Sequence, residues 1–329
     1  MTKLSMFRCL SVLFSTSLLA TNAAAKSEQP ISSHFSSPVE NLLNIPSFSE
    51  TGLLSSQQQS FTLRLEAVSN AVAMNNASEA VRFDGETWRL TPKWKMALAE
   101  NWQLSVELPV IRHTGGFLDN AIDQWHDVFN FREGSRGNFD RNELVYGYSQ
   151  SNTTDFLLTN SENGLGDLKL KLSHRLPVEL PLTLHMHLKA PTGDEDDLMG
   201  SGAWDAGLSI SYLKTALFNI DSLSASIEAG QHYLGDSDQI RNQKNHLSTL
   251  YGGLFWNFYS GFTAKVQLEG RSQLSDSDLE PIGSEGLQTT LGLTWNSSDN
   301  SYWDFAFVED IKTDSTADVT FLTSWTTAF

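Results

Sequence analysis

Cysteine, basic residues and long apolar runs are scarce in this sequence of 329 residues. The single cysteine, Cys9, excludes a disulfide framework. Only 22 Lys and Arg residues stand against 39 Asp and Glu residues, and the formal charge of −17 argues against a nucleic-acid partner, since phosphate binding needs a basic surface. Beyond residue 25 no run of about 18 apolar residues occurs, which excludes a transmembrane helix.

The first 25 residues have the pattern of a secretory signal peptide. Two bases, Lys3 and Arg8, precede an apolar stretch at residues 9–19, and residues 23–25 are the small Ala residues that a signal peptidase recognises. We therefore predict cleavage before Lys26. Removal of this peptide leaves 20 basic and 39 acidic residues, a charge of −19 and no cysteine, which excludes thiol catalysis.

Beyond this peptide the sequence alternates between apolar and polar residues. In residues 87–98, apolar side chains occupy every even position and polar ones nearly every odd position. A helix would scatter these two sets around its surface, whereas a strand places them on opposite faces. A tight reversal at residues 99–101 and a second alternating run at residues 102–110 then predict a β-hairpin.

The same alternation recurs in roughly twelve segments of about ten residues, which is the length of a tilted membrane β-strand. Short and long connections alternate between the segments, and the long ones are acidic. For residues 58–329 we therefore predict an all-β fold, a transmembrane antiparallel β-barrel of about twelve strands in the bacterial outer membrane, with short periplasmic turns and long acidic extracellular loops. A soluble β-sandwich, which also alternates, is the structural alternative.

Aromatic residues favour the membrane barrel over the sandwich. Many lie next to the predicted periplasmic turns and others near the opposite strand ends, as two interfacial belts would. The first group is Trp102, Trp256, Phe258, Tyr259, Phe262, Trp295, Tyr302 and Trp303, and the second includes Trp88, Trp204, Tyr233 and Tyr251. The last strand ends on Phe329, which resembles the assembly signal of bacterial outer-membrane proteins. We therefore expect outer-membrane lipid, lipopolysaccharide and the barrel-assembly machinery as partners.

If the apolar face of each strand meets lipid, the interleaved polar residues line the lumen. The lumen-lining candidates are Arg64, Arg89, Lys93, Lys95, Glu107, Lys169, Lys171, His185, His187, Lys189, Glu228, Lys265 and Arg271. Bases predominate, which allows two interpretations: an ion-pair network that fills a closed barrel, or a narrow path that favours anionic solutes. His185 and His187 share a strand face but lack a third ligand, so we expect neither a metal nor a cofactor.

The first long loop carries the mouth-loop candidates Arg112, His113, Asp119, Trp125, His126 and Asp127. Between residues 122 and 129, larger side chains recur at the spacing of one helix face. This spacing predicts a short helix that either folds into the mouth as a constriction or lid, or packs over the barrel. The Asp and His side chains could alternatively form an acid/base cluster for hydrolysis at the rim, although no recognisable dyad orders them.

Two groups of motifs resemble a known family. The first comprises residues 84–90 (DGETWRL), 107–109 (ELP), 113–119 (HTGGFLD) and the Trp125-His126 pair, and the second comprises residues 191–194 (PTGD) and 200–202 (GSG). They resemble the domain-of-unknown-function 3187 proteins, an uncharacterised Gram-negative family, and the second group is also similar to an element of a phenol-degradation transport family. The resemblance implies an outer-membrane barrel and no agreed activity.

Residues 26–57 are rich in Ser and Gln and form either a periplasmic arm or a plug inside the lumen. For the whole protein the leading hypothesis is a narrow channel for small solutes, with anionic ones preferred. The alternatives are a closed structural or envelope-binding barrel without transport, and a rim hydrolase that uses His113 and His126. No recognisable catalytic site supports the last of these.

Overall fold

The computed structural model describes residues 28–118 and 141–329. Within these residues, sixteen β-segments form one sheet: β1 (Gln59–Asn75), β2 (Glu79–Ala99), β3 (Trp102–Glu107), β4 (Val110–Thr114), β5 (Val145–Gln150), β6 (Thr153–Leu158), β7 (Glu162–Leu165), β8 (Leu168–Arg175), β9 (Leu182–Ala190), β10 (Asp205–Lys214), β11 (Leu223–Tyr233), β12 (His246–Tyr259), β13 (Phe262–Arg271), β14 (Gly286–Ser298), β15 (Ser301–Asp310) and β16 (Val319–Ala328). The helices are α1 (Pro38–Leu43), a 3-10 turn (Leu217–Asn219) and α2 (Glu280–Gly283).

Two predictions fall outside the described residues. These are the signal peptide, residues 1–25, and the mouth-loop helix at residues 122–129 together with Asp119, Trp125, His126 and Asp127. None of the helices within the described ranges has the length and apolar character of a membrane span.

The sheet closes on itself as an antiparallel barrel. β1 pairs with β2 on one side and with β16 on the other, which joins the first and last strands. β3 and β4 share one position in the wall, interrupted at residues 108–109, and β7 and β8 share another, interrupted at residues 166–167. The wall therefore has twelve strands, which confirms the predicted fold class.

The two ends of the barrel differ in their connections. At the end that we call the turn end, Gln59 pairs with Phe329, and two residues, 100 and 101, join β2 to β3. The opposite end, the loop end, carries most of the longer connections, although only residues 76–78 join β1 to β2. There β5 continues the sheet along β2, and β6 pairs with β5.

Burial alternates along the strands. In β11, for example, Glu228 is buried whereas Ile227 is 50% exposed on the outer, membrane-facing surface. Two residues of the predicted aromatic belts are exceptions, because Tyr251 and Tyr302 are buried and face the lumen. Their assignment to the belts was wrong, since each has the strand parity of the polar, inward-facing residues around it.

The apolar core lies inside the barrel at the loop end. Side chains from α1 and its flanks meet side chains from β1, β2, β5, β6, β12 and the long loops; among them are Phe35, Val39, Leu42, Leu43, Ile45, Phe48, Phe83, Tyr146, Phe156, Leu198, Leu234, Ile240, Leu274 and Ile282. Each large apolar side chain buried in this way contributes about 1.5–3 kcal/mol. The loop end is therefore closed by a packed core.

Candidate functional site

Residues 29–54 lie inside the barrel and form what we call the lumen arch. One limb rises from Gln29 towards the loop end, α1 crosses the lumen, and the second limb returns to the turn end and continues into β1. The two limbs contact each other, since Ser32 Oγ lies 2.8 Å from Ser47 Oγ and the Gly52 amide donates to Gln29 Oε1 at 2.9 Å. The arch therefore occupies the space in which a solute would have to pass.

A capping box starts the helix of the arch. Ser37 Oγ accepts a hydrogen bond from the Glu40 amide, and Glu40 Oε2 accepts one from the Ser37 amide at 2.7 Å. Pro38 occupies the first helical position, and Asn44 ends the helix in the left-handed conformation with φ 51°. Strand alternation does not predict this helix, although the order Ser-Pro-Val-Glu at residues 37–40 carries its start signal.

Glu40 also fastens the top of the arch to the barrel wall. Its side chain is fully buried, and Oε1 lies 2.7 Å from both Nε and Nη2 of Arg271. Oε2 accepts a further hydrogen bond from Thr316 Oγ1 at 2.9 Å. The remaining guanidinium donors reach the carbonyl oxygens of Ser284 and Ser315, at 2.9 and 2.8 Å. Both buried charges are thus paired, as burial away from water requires.

The second limb brings a carboxylate, Glu50, to the bases of β2. Lys93 Nζ donates to Glu50 Oε1 at 3.1 Å, and Lys95 Nζ donates to Glu50 Oε2. Lys93 also lies 3.3 Å from Glu107, which in turn lies 3.6 Å from Arg64. This chain of charges links the arch to three neighbouring strands of the wall.

A second network surrounds the rising limb. His34 Nδ1 lies 3.0 Å from Glu66 Oε1, and Arg64 Nε donates to Glu66 Oε2 at 3.2 Å. Farther round the wall, Ser33 Oγ donates to Glu269 Oε1 at 2.5 Å. Gln267 accepts from the Ile31 amide at 2.6 Å and donates to the Ile31 carbonyl at 3.0 Å. The rising limb is thus held through main-chain and side-chain groups alike.

Several wall side chains donate to backbone carbonyl oxygens of the arch. The pairs are Lys189 to Leu43 at 3.4 Å, Lys169 to Ile45 at 3.3 Å, Tyr251 to Pro46 at 2.5 Å, and Arg175 and Thr183 to Thr51 at 3.2 and 3.1 Å. A single hydrogen bond of this kind contributes only about 0.5–1.5 kcal/mol net, because water can replace it. The arch is therefore attached to the wall by several polar contacts spread along its length.

The lumen-lining candidates all have their side chains on the inside of the wall. Ten are at most 8% exposed: Arg64, Arg89, Lys93, Lys95, Glu107, His185, Lys189, Glu228, Lys265 and Arg271. Lys169, Lys171 and His187 are less deeply buried and line an internal cavity of about 50 Å³. The groups that pair with them from the arch are His34, Glu40 and Glu50. Alternation does not predict these three residues, because they lie outside any alternating segment.

Serine hydroxyls engage the two His side chains of β9. His185 Nδ1 lies 2.8 Å from Ser173 Oγ, and its Nε2 lies 2.8 Å from Ser211 Oγ. His187 Nε2 lies 3.0 Å from Ser209 Oγ. Within residues 28–118 and 141–329, no three His, Cys, Asp or Glu side chains come together as a metal site would require.

Of the mouth-loop candidates, Arg112 and His113 lie within the described residues. Arg112 is exposed on the outer face of β4. His113 is fully buried, with Nδ1 2.8 Å from Thr87 Oγ1 and Nε2 3.3 Å from the Leu198 carbonyl oxygen. In the part of the chain that is described, His113 has no hydrogen bond to a carboxylate, so it lacks the partner that a hydrolytic base would need.

The glycines of the first motif fit around a buried carboxylate, Glu86. The amides of Phe117 and Leu118 donate to Glu86 Oε1, the former at 2.7 Å, and Trp88 Nε1 donates to Oε2 at 3.1 Å. Gly116 has φ +72°, and a Cβ there would overlap this carboxylate. Phe117 then stacks on Trp88 with ring centroids 5.8 Å apart. Because Trp88 points outward, this part of the loop lies on the outer surface and not in the mouth.

Asp167 plays the corresponding part for the second motif. It is fully buried, and Oδ1 accepts from the amides of Thr192 and Gly193 at 3.1 and 3.0 Å, while Oδ2 accepts from the Ser201 amide at 3.2 Å. Lys189 Nζ lies 3.2 Å from Oδ2 and balances the charge. Each motif therefore folds around its own buried carboxylate, Glu86 for the first and Asp167 for the second.

One solved structure with the same fold is an outer-membrane channel. The COG4313 outer membrane channel from Pseudomonas putida F1 aligns with a TM-score of 0.54 and 11% identity, over 84% of this chain and 97% of that one. The toluene transporter TbuX of Ralstonia pickettii has a TM-score of 0.41 and 10% identity over 84% and 90%. The KdgM porin has 0.41 and 11% over 82% and 99%. The likeness to the COG4313 channel is one of fold, and it confirms the predicted outer-membrane location.

The sequence itself gives a family. No curated protein matches the chain. The profile of one protein family does match, over residues 6–329, and its description is a protein of unknown function, DUF3187. The resemblance inferred from the two motifs is thereby confirmed, and the chain belongs to the DUF3187 family.

Proposed function

We propose that the protein is an outer-membrane channel for small solutes, with anionic ones preferred, and that the lumen arch closes it in the state described here. One observation carries this proposal: the arch supplies carboxylates that neutralise bases of the wall. Glu40 pairs with Arg271, and Glu50 pairs with Lys93 and Lys95. When the arch leaves, Arg271 and Lys95 face the lumen without these partners and Lys93 keeps only Glu107. A lumen lined by bases favours anions.

The way in which the arch is held fits a gate that opens rarely. Its limbs are attached by hydrogen bonds and ion pairs that water can replace, whereas α1 and its flanks are packed in the apolar core. Exposing six large apolar side chains of the arch at about 1.5–3 kcal/mol each would cost roughly 10 kcal/mol or more. We therefore expect the closed state to dominate unless a denaturant or a partner releases the arch.

A reversible crosslink tests whether the arch is the gate. Ser33 Oγ on the arch and Thr290 Oγ1 on β14 are 3.1 Å apart, so cysteines at both positions are within reach of a disulfide. Ser32 and Ser47, whose oxygens are 2.8 Å apart within the arch, provide the matched control pair. Since Cys9 lies in the predicted signal peptide, no other thiol would compete.

Conductance would be measured in planar bilayers with and without about 3 M urea, which weakens apolar packing. The Ser33→Cys/Thr290→Cys protein should stay closed when oxidised and should open when reduced, with a reversal potential that indicates anion preference. The Ser32→Cys/Ser47→Cys protein should open in both states. Equal conductance of the oxidised and reduced wall-linked proteins would show that the arch is not the gate.

The packed core at the loop end favours a second candidate, a closed structural barrel without transport. Nothing in such a barrel requires the arch to move. Silence of both cysteine proteins under every condition, with correct heat-dependent gel migration, would support this candidate and remove the channel.

A further inference from the structure

A cavity of about 50 Å³ lies between the arch and the wall formed by β3 and β8–β11. The arch contributes Asn44, Pro46 and Ser47 to its lining, and the charged and His side chains around it are Glu107, Lys169, Lys171, His187, Lys189, Asp205 and His232. At roughly 10–15 Å³ for each water-sized sphere, this volume accommodates about four water molecules or one small polyatomic ion.

The carboxylates that line this cavity already have cationic partners. Lys189 Nζ lies 2.7 Å from Asp205, and Glu107 lies 3.3 Å from Lys93 and 3.6 Å from Arg64. The carboxylates at the cavity are therefore neutralised by bases. Two of these bases, Lys93 and Arg64, do not line the cavity themselves.

Two lining bases make no direct ion pair with a carboxylate of the described residues, although Glu107 lies near enough to attract both. Lys169 Nζ donates to the carbonyl oxygen of Ile45, at 3.3 Å. Among residues 28–118 and 141–329, the ammonium group of Lys171 makes neither a hydrogen bond nor an ion pair, although its stem is enclosed by neighbouring strands. Ammonium groups in such surroundings favour an anionic partner, because a charge removed from water is costly unless it is paired.

A His side chain contributes to the same lining. His232 is 4% exposed, its Nε2 lies 3.2 Å from Thr249 Oγ1, and its buried Nδ1 has no hydrogen-bond partner among the described residues. The ring occupies the space that the missing side chain of Gly207 leaves, since a Cβ there would lie 2.0 Å from Nδ1. His187 packs against it edge to face, with ring centroids 5.3 Å apart.

We infer that this cavity is a binding site for a small oxyanion, either a carboxylate of acetate size or inorganic phosphate, with Lys171 as its main charged contact and Lys169 and His232 beside it. This inference rests on the proposed function and extends it, because it names the class of solute and one position in the lumen at which that solute binds. Because the cavity exists with the arch in place, the closed protein is also expected to bind the anion.

The test is calorimetric titration of the folded, detergent-solubilised full-length mature protein with sodium acetate and with sodium phosphate at constant ionic strength. Lys171→Gln should weaken binding by about ten- to a hundredfold, the usual effect of losing one charge-assisted hydrogen bond. The matched control is Lys214→Gln at the exposed turn end of β10, which should leave affinity unchanged. Crystals soaked in selenate should show an anomalous peak beside Lys171.

Undiminished binding by Lys171→Gln, a selenate peak only at other positions, or no saturable binding to the unaltered protein would each overturn the site. The bilayer experiment separates this failure from failure of the proposed function. Gated anion conductance without oxyanion binding would leave the channel and remove the site. Oxyanion binding without conductance in any cysteine protein would leave the site and remove the channel.

Discussion

Replacing Glu40 by Gln is the sharpest perturbation of the arch. The carboxylate accepts one hydrogen bond each from Arg271 Nε, the Ser37 amide and Thr316 Oγ1, and it forms an ion pair with Arg271 Nη2, all between 2.7 and 2.9 Å. A Gln side chain has one acceptor oxygen and one donating amide, so at least one of these donors faces another donor. The Arg271 charge then stays buried without its counter-charge.

Breaking a buried ion pair by removing one partner costs about 3–5 kcal/mol. In the open state both groups reach water, so nearly the whole cost falls on the closed state. At about 1.4 kcal/mol for each factor of ten, the open population should rise by roughly a hundredfold to a few thousandfold.

The rate at which a thiol on the arch is labelled reports this population. Ser33 is 1% exposed, so a Ser33→Cys side chain should react with a membrane-impermeant maleimide only when the arch is released. Glu40→Gln should speed up labelling by the factor given above. Glu285→Gln is the matched control, since Glu285 pairs with Lys312 at 3.3 Å on the surface, where solvent screens the interaction.

The reasoning would be refuted if the labelling rate of the Glu40→Gln protein stayed within a factor of about two of the control, a difference of only about 0.4 kcal/mol. Heat-dependent gel migration supplies a second readout. If the Glu40→Gln protein lost its folded migration at room temperature, the ion pair would be holding the wall itself and not only the arch.

Three further outcomes follow from the lumen and the loops. Lys93→Met should lower the anion-to-cation permeability ratio of the open protein, measured from reversal potentials. Lys214→Met at the exposed turn end of β10 should leave this ratio unchanged. Equal ratios in the two variants would contradict the proposed selectivity. Gly207→Ala places a methyl group where the His232 ring lies and should lower the stability of the barrel by about 1–3 kcal/mol. The loss would be measured as a lower temperature at which the gel migration changes. An unchanged temperature would mean that the ring moves freely. Asp167→Asn weakens three acceptor contacts and should lower the urea midpoint of unfolding by an amount equivalent to about 2–3 kcal/mol, and an unchanged midpoint would contradict the role assigned to this carboxylate.

The wall was predictable because strand alternation is a local property. Residues two apart share a face whatever they pair with, so the inward set from Arg64 to Arg271 could be read without knowing the topology. The same rule, applied strictly, would also have placed Tyr251 and Tyr302 in the lumen, where the structure has them. The error came from judging these two residues by nearness to a turn instead of by parity.

The arch was not predictable in the same way because its contacts are distant in sequence. Glu40 and Arg271 are 231 residues apart, and Ser33 and Glu269 are 236 apart. The local sequence carries only the capping-box signal from Ser37 to Glu40. This signal predicts a helix but not where in the barrel the helix lies. A segment without alternation can therefore be a plug or an arm, and only its three-dimensional contacts distinguish the two.

The family motifs could be recognised but not explained from sequence. Glu86 stands within the first motif and Asp167 lies well before the second, and each accepts hydrogen bonds from amides 25–34 residues farther along the chain. The glycines matter because backbone must approach the carboxylate closely, as at Gly116 and Gly200, where a Cβ would overlap it. Parity and motif matching cannot reveal a requirement of this kind.

The path of the arch has a consequence for how the molecule is assembled. Both limbs point to the turn end, so the arch can enter a finished barrel as a folded-back loop, and no chain end has to be threaded through the lumen. The ring of strands can therefore close through β1 and β16 before the arch is seated. Because the arch can be buried only inside a closed wall, wall and arch should mature in separate kinetic phases. The same geometry lets a seated arch withdraw and return without the wall being taken apart.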